Sequence, residues 1–146
     1  MWLYNFGLML YALAIRLVSP RYPKAKLWIE GRKNLFERMA EAIDPKARIV
    51  WIHVASLGEF EQGRPIIERL RKEYPEYKIL LTFFSPSGYE IRKNYGGVDY
   101  IFSLPIDTPS NARRFLDIAH PEIAIFVKYE FWINLLTELR HRSVRT

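Results

Sequence analysis

The chain is 146 residues long, 49% hydrophobic, 15% aromatic and 26% charged, the profile of one packed domain, since ~150 residues leave little room for a second core able to fold alone. It contains no Cys, which excludes disulfide staples, zinc-thiolate sites and thiol nucleophiles and is compatible with a reducing compartment. Lys and Arg number 22 against 16 Asp and Glu, a net charge of +6 that favours an anionic partner; where the excess sits decides which kind.

Residues 1–15, MWLYNFGLMLYALAI, carry no charged side chain. A helical crossing needs ~20 apolar residues, and Arg16, Pro20 and Arg21 stop this run short, so a shallow, monotopic membrane anchor is expected over residues 1–20. The run has no basic stretch before it and no small-residue cleavage signature after it, which reads as a retained segment. Arg16, Arg21, Lys24, Lys26, Arg32, Lys33 and Arg38 follow, opposed only by Glu30 and Glu37. Such a basic collar is attracted to anionic lipid at ~1 kcal/mol per residue near the surface and reinforces an apolar wedge. The alternative is an N-terminal helix buried against a partner domain.

Residues 33–43 form a helical pattern with Leu35, Phe36, Met39 and Ile43 on one stripe. Glu37 within it reads, on its own, as a surface carboxylate; its neighbour Arg38 cannot share its helix face. Four apolar runs of strand length come next, at 48–54 (RIVWIHV), 78–84 (KILLTFF), 98–104 (VDYIFSL) and 122–128 (EIAIFVK). Nearly continuous Ile, Val, Leu and Phe predict parallel strands covered on both faces. Between them Ile66, Ile67, Leu70 and Tyr74 fall on one helical stripe and Ala112, Phe115, Leu116 and Ala119 on another. Thr108-Pro109 supplies a cap and a first-turn proline, while Pro75 and Pro121 are expected to end helices. A repeated strand-helix pattern with right-handed crossovers gives an α/β fold, a Rossmann-like open parallel sheet with flanking helices, whose ligands collect at the loops after the strand C-termini.

The loop after the first run, His53-Val54-Ala55-Ser56-Leu57-Gly58-Glu59, is the densest polar site. Ser56 suits a helix cap, Gly58 permits close backbone approach, and free N–H groups at a helix start can hold an anion or a sugar oxygen. A hydrolase triad is set aside because the G-x-S-x-G elbow is missing, and no Walker or G-x-G-x-x-G phosphate cradle occurs. Local pattern leaves both a plain capped turn and a binding loop open. Ser85-Pro86-Ser87-Gly88 reads as turn chemistry first and a ligand contact second. Asp107 suits a cap as well as a contact, and Glu130 beside Trp132 and Asn134 resembles a carbohydrate or ligand edge, with Trp132 as a plain core residue the alternative.

In order and spacing, these residues resemble the N-terminal domain of the Kdo (3-deoxy-D-manno-octulosonic acid) transferases. The resemblance covers almost the whole chain: the apolar start and basic stretch, Phe36-Glu37-Arg38, His53-x-x-Ser56-x-Gly58-Glu59, Ser85-Pro86-Ser87-Gly88, Leu104-Pro105-x-Asp107 and Glu130-Phe131-Trp132-x-Asn134. Lys128 stands where the family usually shows an acidic residue, and Ile133 where it shows a proline. The resemblance implies the N-terminal half of a two-domain GT-B glycosyltransferase of lipopolysaccharide synthesis, attaching Kdo from CMP-Kdo to the lipid A precursor at the cytoplasmic face of the inner membrane. Residues 21–146 would be the acceptor-binding domain; the C-terminal donor domain, which binds most of CMP-Kdo, is absent from these residues, so the chain is expected to be inactive alone. By the same resemblance Glu37 would be the general base. Ser56, Gly58, Glu59, Ser85, Gly88, Asp107 and Glu130 would contact substrate, and basic side chains near the membrane would meet acceptor phosphates. No motif asks for a metal or a resident cofactor.

A second class of function stays open: a non-catalytic membrane-associated module that holds an anionic lipid. Nucleic-acid binding is disfavoured, because the basic residues cluster beside an apolar run and no RNP, zinc or helix-turn-helix pattern is present.

Overall fold

The structure, a computed structural model, describes residues 2–128 and 130–146. Eleven elements follow in chain order: α1 (Trp2–Val18), α2 (Pro23–Arg32), α3 (Leu35–Ala42), β1 (Ile49–Val54), α4 (Leu57–Glu73), β2 (Lys78–Phe83), α5 (Pro86–Arg92), β3 (Tyr100–Ser103), α6 (Pro109–Ala119), β4 (Pro121–Phe126) and α7 (Ile133–His141). The strands form one parallel sheet in the order β3-β2-β1-β4. The chain steps outward from β1 through β2 to β3, then returns to place β4 on the other side of β1, so the loops after β1 and β4 diverge and open a crevice.

Alternate residues of the central strand feed two cores. Ile49 and Trp51 pack with Leu35, Met39, Phe115, Leu116, Leu135 and Leu139 beneath α3, α6 and α7. Val50, Ile52 and Val54 pack with Phe60, Ile67, Leu81 and Phe83 beneath α4. All six residues of β1 are buried, which is why its sequence shows no polar alternation.

Local signals set the boundaries. The Ser56 hydroxyl accepts from the Glu59 N–H at 3.4 Å, and Thr108 accepts from the Asn111 N–H at 3.3 Å, with Pro109 in the first turn. Helix α4 begins at Leu57, inside the 53–59 stretch expected as loop, and Ser85-Pro86-Ser87-Gly88 opens α5 instead of forming a free turn. Helices α4 and α6 stop just ahead of Pro75 and Pro121 as expected; His120, at φ 32°, turns the chain out of α6, and Pro121 is the first residue of β4. The stripe expected on α4 is also narrower, with Ile67 buried but Ile66 and Tyr74 exposed.

Helix α1 buries none of its residues, yet it is not detached. The Tyr4 hydroxyl donates to Asp107 Oδ2 at 2.6 Å, Asn5 Oδ1 accepts from Asn134 Nδ2 at 2.8 Å, and the Tyr11 ring lies 6.0 Å from Trp28 and 6.3 Å from Phe84. Its other face presents Trp2, Leu3, Phe6, Met9, Leu10, Leu13 and Leu17 to the outside. Among the described residues no single helix is long and apolar enough to cross a membrane; α1 and α2 reach that length only as a pair bent by 120°.

Candidate functional site

The ends of β1 and β2 and the loops beyond them are stitched together by the backbone. Phe84 N–H donates to Val54 O at 3.2 Å and Ser85 N–H to Ala55 O at 2.8 Å, so the Ser56 and Ser85 loops are joined into one surface. Gly88 is held by packing: a Cβ there would sit 2.9 Å from the Phe83 ring and 3.1 Å from Leu57 N. Gly58 is the opposite case, since a Cβ would meet only Ser56 Oγ at 3.9 Å, leaving open space over the start of α4. The Glu59 carboxylate turns back and accepts from the Ala55 N–H, a reciprocal cap that ties the loop to the helix it precedes.

At the crevice between β1 and β4 a polar chain crosses the otherwise apolar sheet. Trp51 Nε1 donates to Thr82 Oγ1 at 2.8 Å, Thr82 Oγ1 lies 2.9 Å from His53 Nδ1, and His53 Nε2 is 3.5 Å from Glu130 Oε2. The assignment that uses every hydrogen has Thr82 accept from Trp51 and donate to Nδ1, which leaves the imidazole hydrogen on Nε2, facing Glu130. That last separation is too long for a well-formed hydrogen bond, and Nε2 is without a partner. Burial pushes the imidazolium pKa down, against the opposing pull of Glu130, so His53 is neutral at physiological pH. Phe126 and Trp132 enclose it at 5.9 and 6.0 Å.

Asp107 is brought to the same edge but is fully enclosed. Its Oδ2 accepts from Tyr4 and from the Asn134 N–H at 2.9 Å, and Oδ1 accepts from the Leu135 N–H at 2.8 Å. Burial raises its pKa, while these donors act to lower it. Asp107 therefore caps α7, not the helix that follows it in sequence, and latches α1 to the domain.

Glu37 stands apart from this group, on the first turn of α3. Its Oε1 accepts from Arg114 Nη2 at 2.8 Å, and Arg114 lies over the Phe36 ring at 4.5 Å. Arg38 turns the other way, donating to Gly31 O at 2.7 Å and Lys33 O at 3.1 Å. Its own backbone N–H, and after it Arg114, hold the Glu37 carboxyl below the usual range. It is therefore ionised at neutral pH and, with 58% of its side chain exposed, open to a ligand. Beside it lies a cavity of about 310 Å³ lined by Arg16, Trp28, Arg32, Lys33, Phe36 and Ile106, among others.

Several participants escaped the sequence reading. Thr82 and His53 could have been noticed as the polar interruptions of two buried runs, in KILLTFF and RIVWIHV. Arg114, Tyr4 and Asn5 carried no such signal, because their partners are 77, 103 and 129 residues away.

Residues 33–146 match the family model described as 3-deoxy-D-manno-octulosonic-acid transferase (kdotransferase). The chain is 32% identical over 130 residues to the 3-deoxy-D-manno-octulosonic acid transferase of Haemophilus influenzae, covering 86% of this chain and 28% of that protein. It is 39% identical over 88 residues to the enzyme of the same name from Aquifex aeolicus, covering 60% of this chain and 24% of that one. A probable mitochondrial 3-deoxy-D-manno-octulosonic acid transferase of Arabidopsis thaliana is 32% identical over 143 residues, covering 90% of this chain and 32% of its own length. The alignments with these relatives thus take in 24% to 32% of their length. All the candidate residues, from Glu37 to Glu130, fall inside the span of the family model.

Proposed function

Because the chain belongs to the 3-deoxy-D-manno-octulosonic acid (Kdo) transferase family, we propose that it is the acceptor-side half of a two-domain GT-B glycosyltransferase, one that moves Kdo from CMP-Kdo to the lipid A precursor. The observation that carries this reading is an ionised, accessible Glu37 beside a cationic cavity, on a domain whose α1 exposes a face of large apolar side chains.

In this reading the acceptor lies between the membrane and the domain. Glu37 takes the proton from the attacking hydroxyl as its oxygen forms the bond to the anomeric carbon of Kdo, and CMP leaves from the opposite face, with inversion. Arg114 keeps the carboxylate charged until the hydroxyl arrives. Ser56, Gly58 and Ser85 form the floor of the cleft, Gly88 is buried beneath it against Phe83 and Leu57 and not in contact with substrate, and Glu59 and Asp107 hold the floor in shape through the bonds described above. Glu130, with His53 behind it, faces the crevice. The apolar face of α1 sits in the interfacial zone of the cytoplasmic leaflet, with the basic residues after it against anionic headgroups.

The test is a chimera in which this chain replaces the matching segment of the Haemophilus influenzae relative. Transfer of Kdo from CMP-Kdo to the lipid A precursor is expected, and Glu37→Gln should lower kcat by ~10²-fold or more, the range typical of a general base. An unchanged kcat in the variant removes Glu37 from the chemistry. For the anchor, Leu3→Gln, Phe6→Gln and Leu10→Gln together should shift the chain out of the floating fraction with anionic vesicles, while the Tyr4 and Asn5 bonds keep α1 in place. A second reading, a lipid-binding module without transfer, is favoured by the cavity lined by three cations and no acid beside the exposed apolar face of α1; a chimera that binds acceptor and transfers nothing would support it.

A further inference from the structure

The polar chain that crosses the sheet is fixed at one end and open at the other. Trp51 and His53 lie two residues apart on β1, and so on one face of it, and Thr82 stands opposite His53 in the register of β1 with β2. All three residues are buried. The segment that carries Glu130 is fastened to the same place by its backbone, since Val127 N–H donates to His53 O at 3.0 Å. Burying three polar groups in a sheet of Ile, Val, Leu and Phe costs stability unless each hydrogen finds an acceptor. Here every position is satisfied except the last.

The protonation pattern follows from what each group is able to do. An indole N–H only donates, so Thr82 Oγ1 accepts from Trp51 at 2.8 Å and its own hydrogen is left for His53 Nδ1, 2.9 Å away. Were Nδ1 protonated instead, Thr82 would face two donors and its buried hydroxyl hydrogen would have no acceptor in this chain of bonds. The imidazole hydrogen is thereby set on Nε2, which is buried, unpartnered and 3.5 Å from Glu130 Oε2. A network that served folding alone would end on an acceptor within reach. This one stops just short of a carboxylate that is itself 15% exposed, and hydrogen bonds at working sites are often long until a ligand seats.

We propose that Trp51, Thr82 and His53 form a positioning relay for Glu130, in which the fixed Nε2–H takes Oε2, orients the carboxylate and leaves Oε1 to accept from a hydroxyl of the bound ligand. The relay also sets specificity, because a carboxylate held as an acceptor favours a neutral hydroxyl and repels an anion. None of the three relay residues touches the ligand; they act through Glu130. The inference rests on the transferase reading for the identity of that ligand as a sugar, and it leaves the proton transfer at Glu37 as described.

Nitrogen-15 NMR of the 146-residue chain reads the relay directly. His53 should show a neutral imidazole with its hydrogen on Nε2, and Glu130→Gln should move the Nε2 resonance more than that of Nδ1. A hydrogen on Nδ1, or an Nε2 resonance indifferent to Glu130→Gln, overturns the relay. The functional test is a double-mutant cycle in the chimera. Thr82→Val should lower kcat/KM about tenfold, the cost of a misplaced contact, and Thr82→Ser, which keeps the hydroxyl, should stay close to the parent. In the Glu130→Gln background Thr82→Val should cost nothing further. Equal losses in both backgrounds would make Thr82 a packing residue and overturn the proposal. Should Thr82→Val fail to fold because it strands the indole donor, Thr82→Val with Trp51→Phe removes both ends of that bond and carries the same expectation. A chimera that transfers nothing while the NMR result holds sinks the transferase and leaves the relay; parent-like transfer with Thr82→Val sinks the relay and leaves the transferase.

Discussion

The two ends of the sheet solve the same problem in opposite ways. At the edge where the strands begin, charges meet charges: Arg48 holds Glu122 through Nε at 2.8 Å and Nη2 at 2.9 Å, and Asp99 takes Arg71 at 2.7 Å, Lys78 at 3.4 Å and the Ile79 N–H at 2.8 Å. At the edge where they end, donors are left over: of six buried side-chain nitrogens without partners among the described residues, Trp28 Nε1, Arg32 Nε, His53 Nε2 and Trp132 Nε1 lie there, while Arg92 Nε is on α5 and His120 Nε2 lies just before β4. The rings of Trp28, Phe84, Trp132 and His53 form one run, each within 6.3 Å of the next. Folded domains leave few buried donors unsatisfied, so their concentration at one edge separates the end that holds the fold from the end that meets a ligand.

Asp107 is the exception that can break this contrast, since it lies at the ligand-facing edge yet has both oxygens engaged. Asp107→Ala would strand two buried backbone N–H groups and cut the Tyr4 latch, a loss of about 3 kcal/mol. For a domain of this size that is a fall in Tm of roughly 10 °C, with Asp107→Asn in between. A variant melting with the parent would place Asp107 among the ligand contacts instead.

That residue also marks where sequence reading runs out. The strands were legible because burial on both faces leaves a run of apolar residues, most complete in β1 and β2, and the caps at Ser56 and Thr108 were legible because they act within three residues. Asp107 was readable as a cap, but its helix starts 26 residues later, at Ile133, and nothing local points there. Tyr74 fitted the α4 stripe by spacing, yet it is the C-cap, at φ −133°, where the helical period no longer applies. Arg32 looked like one more member of the basic collar; its distinction, carbonyl partners at Trp28 and Phe84 and no acid among the described residues, exists only in the fold. The position of Glu37 was given by the family pattern, whereas its partner Arg114 lies on a helix brought alongside by the sheet.

His53 tests the contrast through pH. Burial lowers its folded-state pKa, so on acidification the unfolded chain, near 6.5, takes up a proton before the folded one does. Stability contributed by the neutral imidazole is present above about pH 6.5 and lost below it, by up to about 1.4 kcal/mol per pH unit. Asp107, raised by burial, acts with the opposite sign, which the difference between parent and His53→Gln removes. Denaturant titrations between pH 7 and 5 should show a flatter pH dependence in His53→Gln; parallel curves would mean that folding leaves the imidazole pKa unmoved, and a parent that gains on the variant as the pH falls would mean that Glu130 holds an imidazolium in the fold.

The smallest effect is expected at the other end, at Glu122. Arg48 and after it Tyr77 hold its carboxyl down to about 2. A depressed acid stabilises above its unfolded pKa, near 4.3, and the contribution is lost as pH falls through about 2. Glu122 is nevertheless a solvent-facing group at the sheet's lower edge, so water and salt screen most of what the pair gains. Glu122→Gln should therefore lower Tm by far less than Asp107→Ala does, and the difference from the parent should shrink further in ~1 M salt, where the Debye length is about 3 Å. In the chimera it should leave kcat and the acceptor KM untouched, because Glu122 is engaged by Arg48 and Tyr77 while Glu37 is engaged by Arg114, with no partner in common. A change in either kinetic constant would show that the paired edge also takes part in binding, and the division between the two ends of the sheet would fail.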